Sequence, residues 1–182
     1  MADTAATELL PHAREVEIVL LLASATSRYE GRPADGPLPP VGPESRTSIE
    51  IRAGLGVVGD RYFGKPAHVR ASVTLMAAEV FDLVADDLGI PHTLNMAAAR
   101  RNIVLRGVDI DAMRGQSLSL DTGDGPVVFR ANRPANPCAW MDIVLAPGAN
   151  RALRGRGGMR CEPLSSGRLT LGPAILRTEL AG

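Results

Sequence analysis

Short apolar stretches separated by turn residues run along most of the chain, and this pattern predicts many short β-strands. Ile49 and Ile51 alternate with polar neighbours, which is typical of a half-buried strand. Gly, Pro, Asp and Ser stand between the stretches, where turns are expected. Strands are predicted over residues 16–23, 47–52, 69–76, 102–105, 115–120, 127–129, 159–164, 168–171 and 174–178.

Helical spacing of apolar residues is confined to a few segments. Residues 77–88 repeat large apolar side chains every three or four positions and stop at Gly89. Residues 140–145 predict a second, short helix, and residues 148–153 a further helical turn. Many strands with two or three helices predict a mainly β fold of the β+α class. We expect a mixed, mainly antiparallel barrel over residues 47–176, with the 77–88 helix packed outside it.

The length of 182 residues favours a single domain that can bury a substantial core. Residues 1–14 are expected to form a flexible N-terminal extension, and residues 15–182 the domain. Glycine and proline are concentrated in residues 28–45, which predicts a long loop. The apolar run in residues 16–23 is short and follows several acidic residues, which favours a core strand over a signal peptide. We therefore expect a cytoplasmic protein that does not bind membranes.

Charge is balanced overall but unevenly distributed. The formal net charge is zero, so the strong basic surface typical of nucleic-acid binding is not expected. Residues 121–182 carry eight basic and five acidic residues, whereas residues 1–60 carry five basic and nine acidic ones. All basic residues except Lys65 are arginines, as a GC-rich genome would favour. Positive charge therefore collects in the half of the chain that contains both cysteines.

Cys138 is the strongest candidate for chemistry. Asn136 is a good N-cap and Pro137 suits the first position of a helix, so Cys138 is expected in the first turn, where a thiolate is favoured. A buried structural cysteine is the alternative. Neither cysteine belongs to a zinc-ligand motif, and a disulfide between Cys138 and Cys161 stays open.

Arginines near predicted strand ends suggest an anion site. Arg100, Arg101 and Asn102 open the strand of residues 102–105. Guanidinium groups bind oxyanions in a bidentate manner, and an asparagine side chain can bond the edge of a heterocycle. A solvated strand end is the plain alternative, just as a simple turn is for the glycine-rich segment 154–158. Since loops gather at the rim of a barrel, we expect Arg100 and Asn102 to share one cavity with Cys138, joined by Arg61 or Arg133.

Several stretches together resemble the MOSC family, whose domain occurs at the C-terminus of molybdenum cofactor sulfurases and as small free-standing bacterial proteins. The similarity covers residues 47–176, and the order and spacing of the motifs carry it. The matching stretches are Val58-Gly59-Asp60-Arg61, Ser72-Val73-Thr74-Leu75-Met76, Arg100-Arg101-Asn102-Ile103-Val104, Gly107 to Gly115, Asn136-Pro137-Cys138 and Gly155-Arg156-Gly157-Gly158.

The resemblance implies a MOSC-like β barrel and a molybdopterin-type cofactor. Cys138 matches the family's cysteine, which carries sulfur or ligates molybdenum, so it is the expected catalytic residue and metal ligand. Arg100 and Asn102 match a pair that helps hold the pterin phosphate and ring. Beyond this pair, Arg61, Arg101 and Arg133 are expected to bind the cofactor at the same pocket.

Three functions remain open at this point. The first is binding of the cofactor or carriage of sulfur on Cys138 as a persulfide. The second is a molybdoenzyme that reduces N-hydroxylated compounds, and the third is a non-enzymatic barrel that binds a small ligand. The resemblance also implies a family-level association with pyridoxal phosphate binding. A small anionic cofactor is the expected ligand, with a sulfur donor or redox partner protein as a further partner.

Overall fold

The computed structural model describes residues 9–181, and within them eleven β-strands form two sheets. Their bounds are β1 (His12–Leu22), β2 (Ser45–Arg46), β3 (Ser48–Arg52), β4 (Gly56–Val57), β5 (Val73–Ala77), β6 (Ile103–Arg106), β7 (Ser117–Asp121), β8 (Val127–Pro134), β9 (Met159–Pro163), β10 (Gly167–Thr170) and β11 (Gly172–Thr178).

Seven strands close into a barrel in the order β11, β7, β8, β9, β5, β6, β1 and back to β11. The long strand β1 closes it, because its first part pairs with β11 and its second part pairs with β6. The β5–β6 pair is parallel, and the other pairs in the barrel are antiparallel. Strands β10, β3 and β4 form a separate small sheet. The predicted mixed, mainly antiparallel barrel is confirmed.

Alternation along the strands fills the barrel. In β8, Val127, Phe129 and Ala131 are fully buried, whereas Val128 and Arg130 are partly exposed. This period of two sends every second side chain inward. The interior cluster draws apolar residues from both sheets and from nearly every strand of the barrel.

From residue 10 to residue 181, three short α-helices lie outside the barrel: α1 (Glu79–Asp87), α2 (Trp140–Val144) and α3 (Ala149–Ala152). Helix α1 buries Phe81 and Val84 in a second apolar cluster, which also takes in Trp140 from α2. The predicted packing of the first helix outside the barrel is therefore confirmed. Within residues 9–181, no helix is long and apolar enough to cross a membrane.

Several predicted element bounds differ from the structure. Strand β1 begins at His12, inside the expected N-terminal extension, because its first residues pair with β11; residues 1–8 lie outside the described part. The expected strand over residues 69–76 starts only at Val73, because a 3-10 helix, Pro66–Ala71, precedes it. Proline at the first helical position favours that turn.

Candidate functional site

Cys138 lies in the loop that joins β8 to α2, and its side chain is exposed. The helix begins at Trp140 with Ala139 as N-cap, and no side chain caps it. The predicted N-cap role of Asn136 is therefore wrong, and Cys138 precedes the helix instead of lying in its first turn. Both cysteines are free, which answers the question of a disulfide.

The two thiols have opposite environments. Cys161 is fully buried in β9, and burial raises its pKa to about 12. At pH 8 only about one Cys161 in 10⁴ is therefore a thiolate. We expect iodoacetamide to alkylate Cys138 at least about 100-fold faster than Cys161, because the thiolate is the reactive form and must be accessible. Peptide mass spectrometry after timed labelling of the native protein measures both rates, and equal rates would contradict this placement.

Arg101 holds the loop that carries Cys138. Its guanidinium donates to the carbonyl oxygens of Ala135 (2.9 Å), Gly157 (2.9 Å) and Ala99 (3.1 Å). Burial, with the positive charge of Arg160 beside it, lowers the pKa of Arg101 to about 10. Three charge-assisted bonds to carbonyl oxygens give this side chain a positioning role in the loop.

Gly157 and Gly158 allow close packing against that loop. A Cβ on Gly157 would lie 2.2 Å from the carbonyl oxygen of Ala135. Gly158 has φ +86° and accepts a hydrogen bond from the Ala135 N–H (2.8 Å). Its own N–H donates to Asp111 Oδ1 (2.9 Å). The glycine-rich segment thus supports the Cys138 loop. Because the Gly158 N–H donates to Asp111, it is not available to bind an anion.

Arg100 is turned toward the long loop that follows β1. Its Nη1 lies 2.9 Å from both carboxylate oxygens of Glu44, and its Nη2 donates to the Thr26 carbonyl at 3.0 Å. Its side chain is only 3% exposed, and its backbone takes φ 56°, the one non-glycine residue with positive φ in the described part. A strained backbone and a buried ion pair together fix this loop against the barrel.

Glu44 should make stability depend on pH. Burial of its carboxylate opposes ionisation, but hydrogen bonds from Ser24 and Arg100, and the charges of Arg100 and Arg28, outweigh burial and lower the pKa of Glu44 below its ordinary value of 4.5. A lowered acid pKa means that the ionised group stabilises the fold above about pH 4.5, and that this contribution is lost as the pH falls through the folded value.

We expect Glu44→Gln to reduce the free energy of unfolding by about 2–4 kcal/mol at pH 7, because it leaves Arg100 buried without its counter-charge. The difference from wild type should shrink as the pH falls below about 4.5 and through the lowered pKa of the folded Glu44 carboxyl. Urea unfolding at pH 7 and at successively lower pH values measures this dependence. Glu30→Gln, an exposed position in the same loop, is the control. A difference that does not depend on pH would contradict the assignment.

Asn102 is the centre of a buried polar network. Its Oδ1 accepts from the N–H and the hydroxyl of Thr74 (2.9 and 3.0 Å). Its Nδ2 donates to the Leu22 carbonyl (3.1 Å) and to Asp60 Oδ2 (3.2 Å). Asp60 also accepts from the N–H groups of Ser24 and Tyr62. Because these groups bond each other, Asn102 ties β1, β5 and the Asp60 turn together behind the site.

A stack of two aromatic rings joins Arg100 to the Cys138 loop. The Tyr29 and Trp140 rings lie 5.2 Å apart and nearly parallel, and the Arg100 guanidinium is 5.4 Å from the Tyr29 ring centre. Burial raises the pKa of Tyr29 above its ordinary value of 10.0. The charge of Arg100 opposes this rise, and a charge on Cys138 adds to it. Arg100 and Cys138 therefore both lie within electrostatic range of Tyr29. No sequence pattern pointed to Tyr29, because it lies in a loop without periodicity.

Charges near Arg101 include the thiol and two further arginines. The charges of Arg160 and Arg61 lower the pKa of Arg101, and a charge on Cys138 raises it. The Arg61 guanidinium rests 4.6 Å from the Tyr62 ring centre. Within residues 9–181, the side chains of Arg61, Arg133 and Arg160 form no ion pair and no hydrogen bond. Their donor groups are free to meet an anion.

The structure divides the predicted site residues into two groups. Cys138 and Arg61 both act electrostatically on Arg101, as does Arg160, the cross-strand partner of Arg133. Arg100 and Asn102 instead bond Glu44 and Asp60. The sequence prediction missed Arg160. On β9 this residue alternates with the buried neighbours Met159 and Cys161, a pattern that points its side chain outward.

No family model matches the chain, and a search of curated proteins finds no match. Among solved structures, the fold is similar to YuaD from Bacillus subtilis, with a TM-score of 0.71 and 16% identity over 93% of this chain and 99% of that chain. It is also similar to YiiM from Geobacillus stearothermophilus (TM-score 0.59, 15% identity, 88% and 74% covered) and YiiM from Escherichia coli (0.57, 12%, 91% and 72%). These similarities concern the fold and are consistent with a MOSC-like barrel.

Proposed function

We propose that the protein binds a molybdopterin-type cofactor on the face of the barrel that carries Cys138, and that the Cys138 sulfur faces the metal. One observation carries the proposal: Cys138, an exposed and free thiol, and two arginines with unpaired guanidinium groups, Arg61 and Arg160, all lie within electrostatic range of Arg101. The MOSC resemblance and the likeness to the YiiM barrels support the class of cofactor.

The residues present fit such a group. A thiolate is a soft donor, which suits a thiophilic transition metal, and guanidinium groups match the geometry of a phosphate. When bound, the cofactor would supply redox or sulfur-exchange chemistry at its metal. Arg61 and Arg160 would bind its anionic group, and Arg101 would hold the Cys138 loop in place. Arg100 and Asn102 would support the wall behind the site through Glu44 and Asp60.

The exposure of Cys138 supports a second candidate, a sulfur carrier. A persulfide must be accessible to a donor and an acceptor protein, and Cys138 is accessible. A persulfide would appear as the mass of one added sulfur on the Cys138 peptide. Once the cofactor is found, the protein can also be assayed for reduction of N-hydroxylated compounds.

Expression in a host that makes molybdopterin tests the proposal. We expect the purified protein to contain molybdenum, by elemental mass spectrometry, and pterin, by fluorescence after oxidation. The double variant Arg61→Ala/Arg160→Ala should lose about tenfold or more of both, because the anionic group loses its charged donors. Arg168→Ala, an exposed arginine on β10, is the control. A wild-type protein with neither molybdenum nor pterin would contradict the proposal and favour a plain binding barrel.

A further inference from the structure

A groove of about 420 Å³ lies between the 3-10 helix Pro66–Ala71 and the end of β8. One wall is the helix and the other is the strand that leads to the Cys138 loop. Small apolar side chains and polar ones both line the groove: Pro66, Ala67, Val69, Arg70, Ala71, Asn132 and Arg133.

The groove has an arginine on each wall. Arg70 is fixed by Asn132, which accepts from Arg70 Nη2 (3.4 Å) and donates from Nδ2 to the Arg70 carbonyl (2.8 Å). Asn132 can do this because the pairing of β8 with β9 is irregular between Ala131 and Arg133. Arg133 faces the groove from the strand and is exposed, with no side-chain partner among the described residues.

The charge in this groove is uncompensated. None of the seven lining residues is acidic. Arg133 is also the register partner of Arg160 on β9. Like charges at facing positions of antiparallel strands repel each other, so the arrangement is unfavourable until an anion lies near it. Strand β8 leads from Arg133 directly into the loop that carries Cys138, five residues further along the chain.

We propose that this groove binds the carboxylate or phosphate end of an organic substrate that reacts at the Cys138 site. Arg70 and Arg133 hold the anion, and Ala67, Val69 and Ala71 contact the apolar part of the molecule. The substrate class is thus a small organic acid or phosphate ester with an apolar body. The reaction at Cys138 rests on the proposed function, whereas anion binding in the groove is independent of it.

Titration with phenyl phosphate, which joins an anion to an apolar ring, tests the groove by calorimetry at low salt. We expect saturable binding to wild type, with affinity about tenfold weaker in Arg70→Ala and in Arg133→Ala. Arg168→Ala removes the same charge elsewhere and should retain wild-type affinity. Far-UV circular dichroism checks that each variant is folded. Equal weakening in all three variants, or in none, would overturn the proposal.

Comparing cofactor-free with cofactor-loaded protein shows whether the groove binds a separate substrate or the anionic group of the cofactor itself. Unchanged phenyl phosphate affinity in the loaded protein supports a separate substrate. Loss of binding in the loaded protein means that the cofactor itself fills the groove, and this overturns the substrate assignment. If the purified protein carries no molybdenum and no pterin, the proposed function fails, while the effects of Arg70→Ala and Arg133→Ala on phenyl phosphate binding still decide whether the groove is an anion site.

Discussion

Replacing Cys138 by serine should lower the molybdenum content of the purified protein at least about tenfold and leave the barrel folded. A serine hydroxyl is a hard, protonated group that does not replace a thiolate on a thiophilic metal. The fold should be retained because the Cys138 side chain is exposed, and the loop is held through the Ala135 carbonyl. The free energy of unfolding should change by less than about 0.5 kcal/mol, as for other exposed positions.

Cys161→Ser is the matched control for this variant. It places a hydroxyl in the barrel core, where Cys161 is fully buried, and should therefore reduce stability while the molybdenum content stays at the wild-type level. Pterin should remain partly bound in Cys138→Ser, because Arg61 and Arg160, the proposed ligands of its anionic group, are unchanged. Full molybdenum content in Cys138→Ser would show that the sulfur is not the ligand.

Gly158→Ala should destabilise the protein by about 3–5 kcal/mol, more than any surface substitution. Its φ of +86° already disfavours a side chain, and the added Cβ would lie 2.2 Å from the Leu75 carbonyl oxygen in β5. The backbone would have to shift, and Gly158 is bonded to both Ala135 and Asp111. The change would therefore also displace the Cys138 loop.

Gly155→Ala in the same segment separates strain from packing. Gly155 has φ +79°, but a Cβ there would meet nothing within 4 Å. It should cost only the left-handed backbone penalty, about 1–2 kcal/mol. Urea unfolding of both variants gives the difference directly. A Gly158→Ala variant no less stable than Gly155→Ala would contradict the close approach of this segment to β5.

The barrel could be predicted from the sequence because its strands follow local rules. Alternation in β3 and β8 and the turn residues between β9, β10 and β11 are readable over a few positions. The start of α2 was harder to predict. Asn136-Pro137 has the composition of a helix start, but Ala135 is bonded to Gly158, and the chain turns into the helix only at Trp140.

The sequence indicated the types of residue at the candidate site, a cysteine and arginines, but only some of the residues themselves and few of their contacts. Arg100 belongs to the Arg100-Arg101-Asn102 motif, but Glu44, its ion-pair partner, lies 56 positions earlier in a loop without periodicity. No local pattern reports such a pair. Arg160 was missed for a different reason: it lies within a strand and belongs to no motif, although its charge reaches Arg101, which holds the Cys138 loop.

The most direct test of the account is a crystal structure of the cofactor-loaded protein with data collected at the molybdenum absorption edge. The account predicts one anomalous peak within bonding distance of Cys138 Sγ, with the anionic group of the cofactor bound by Arg61 and Arg160. A molybdenum peak elsewhere on the barrel, with Cys138 free, would contradict it.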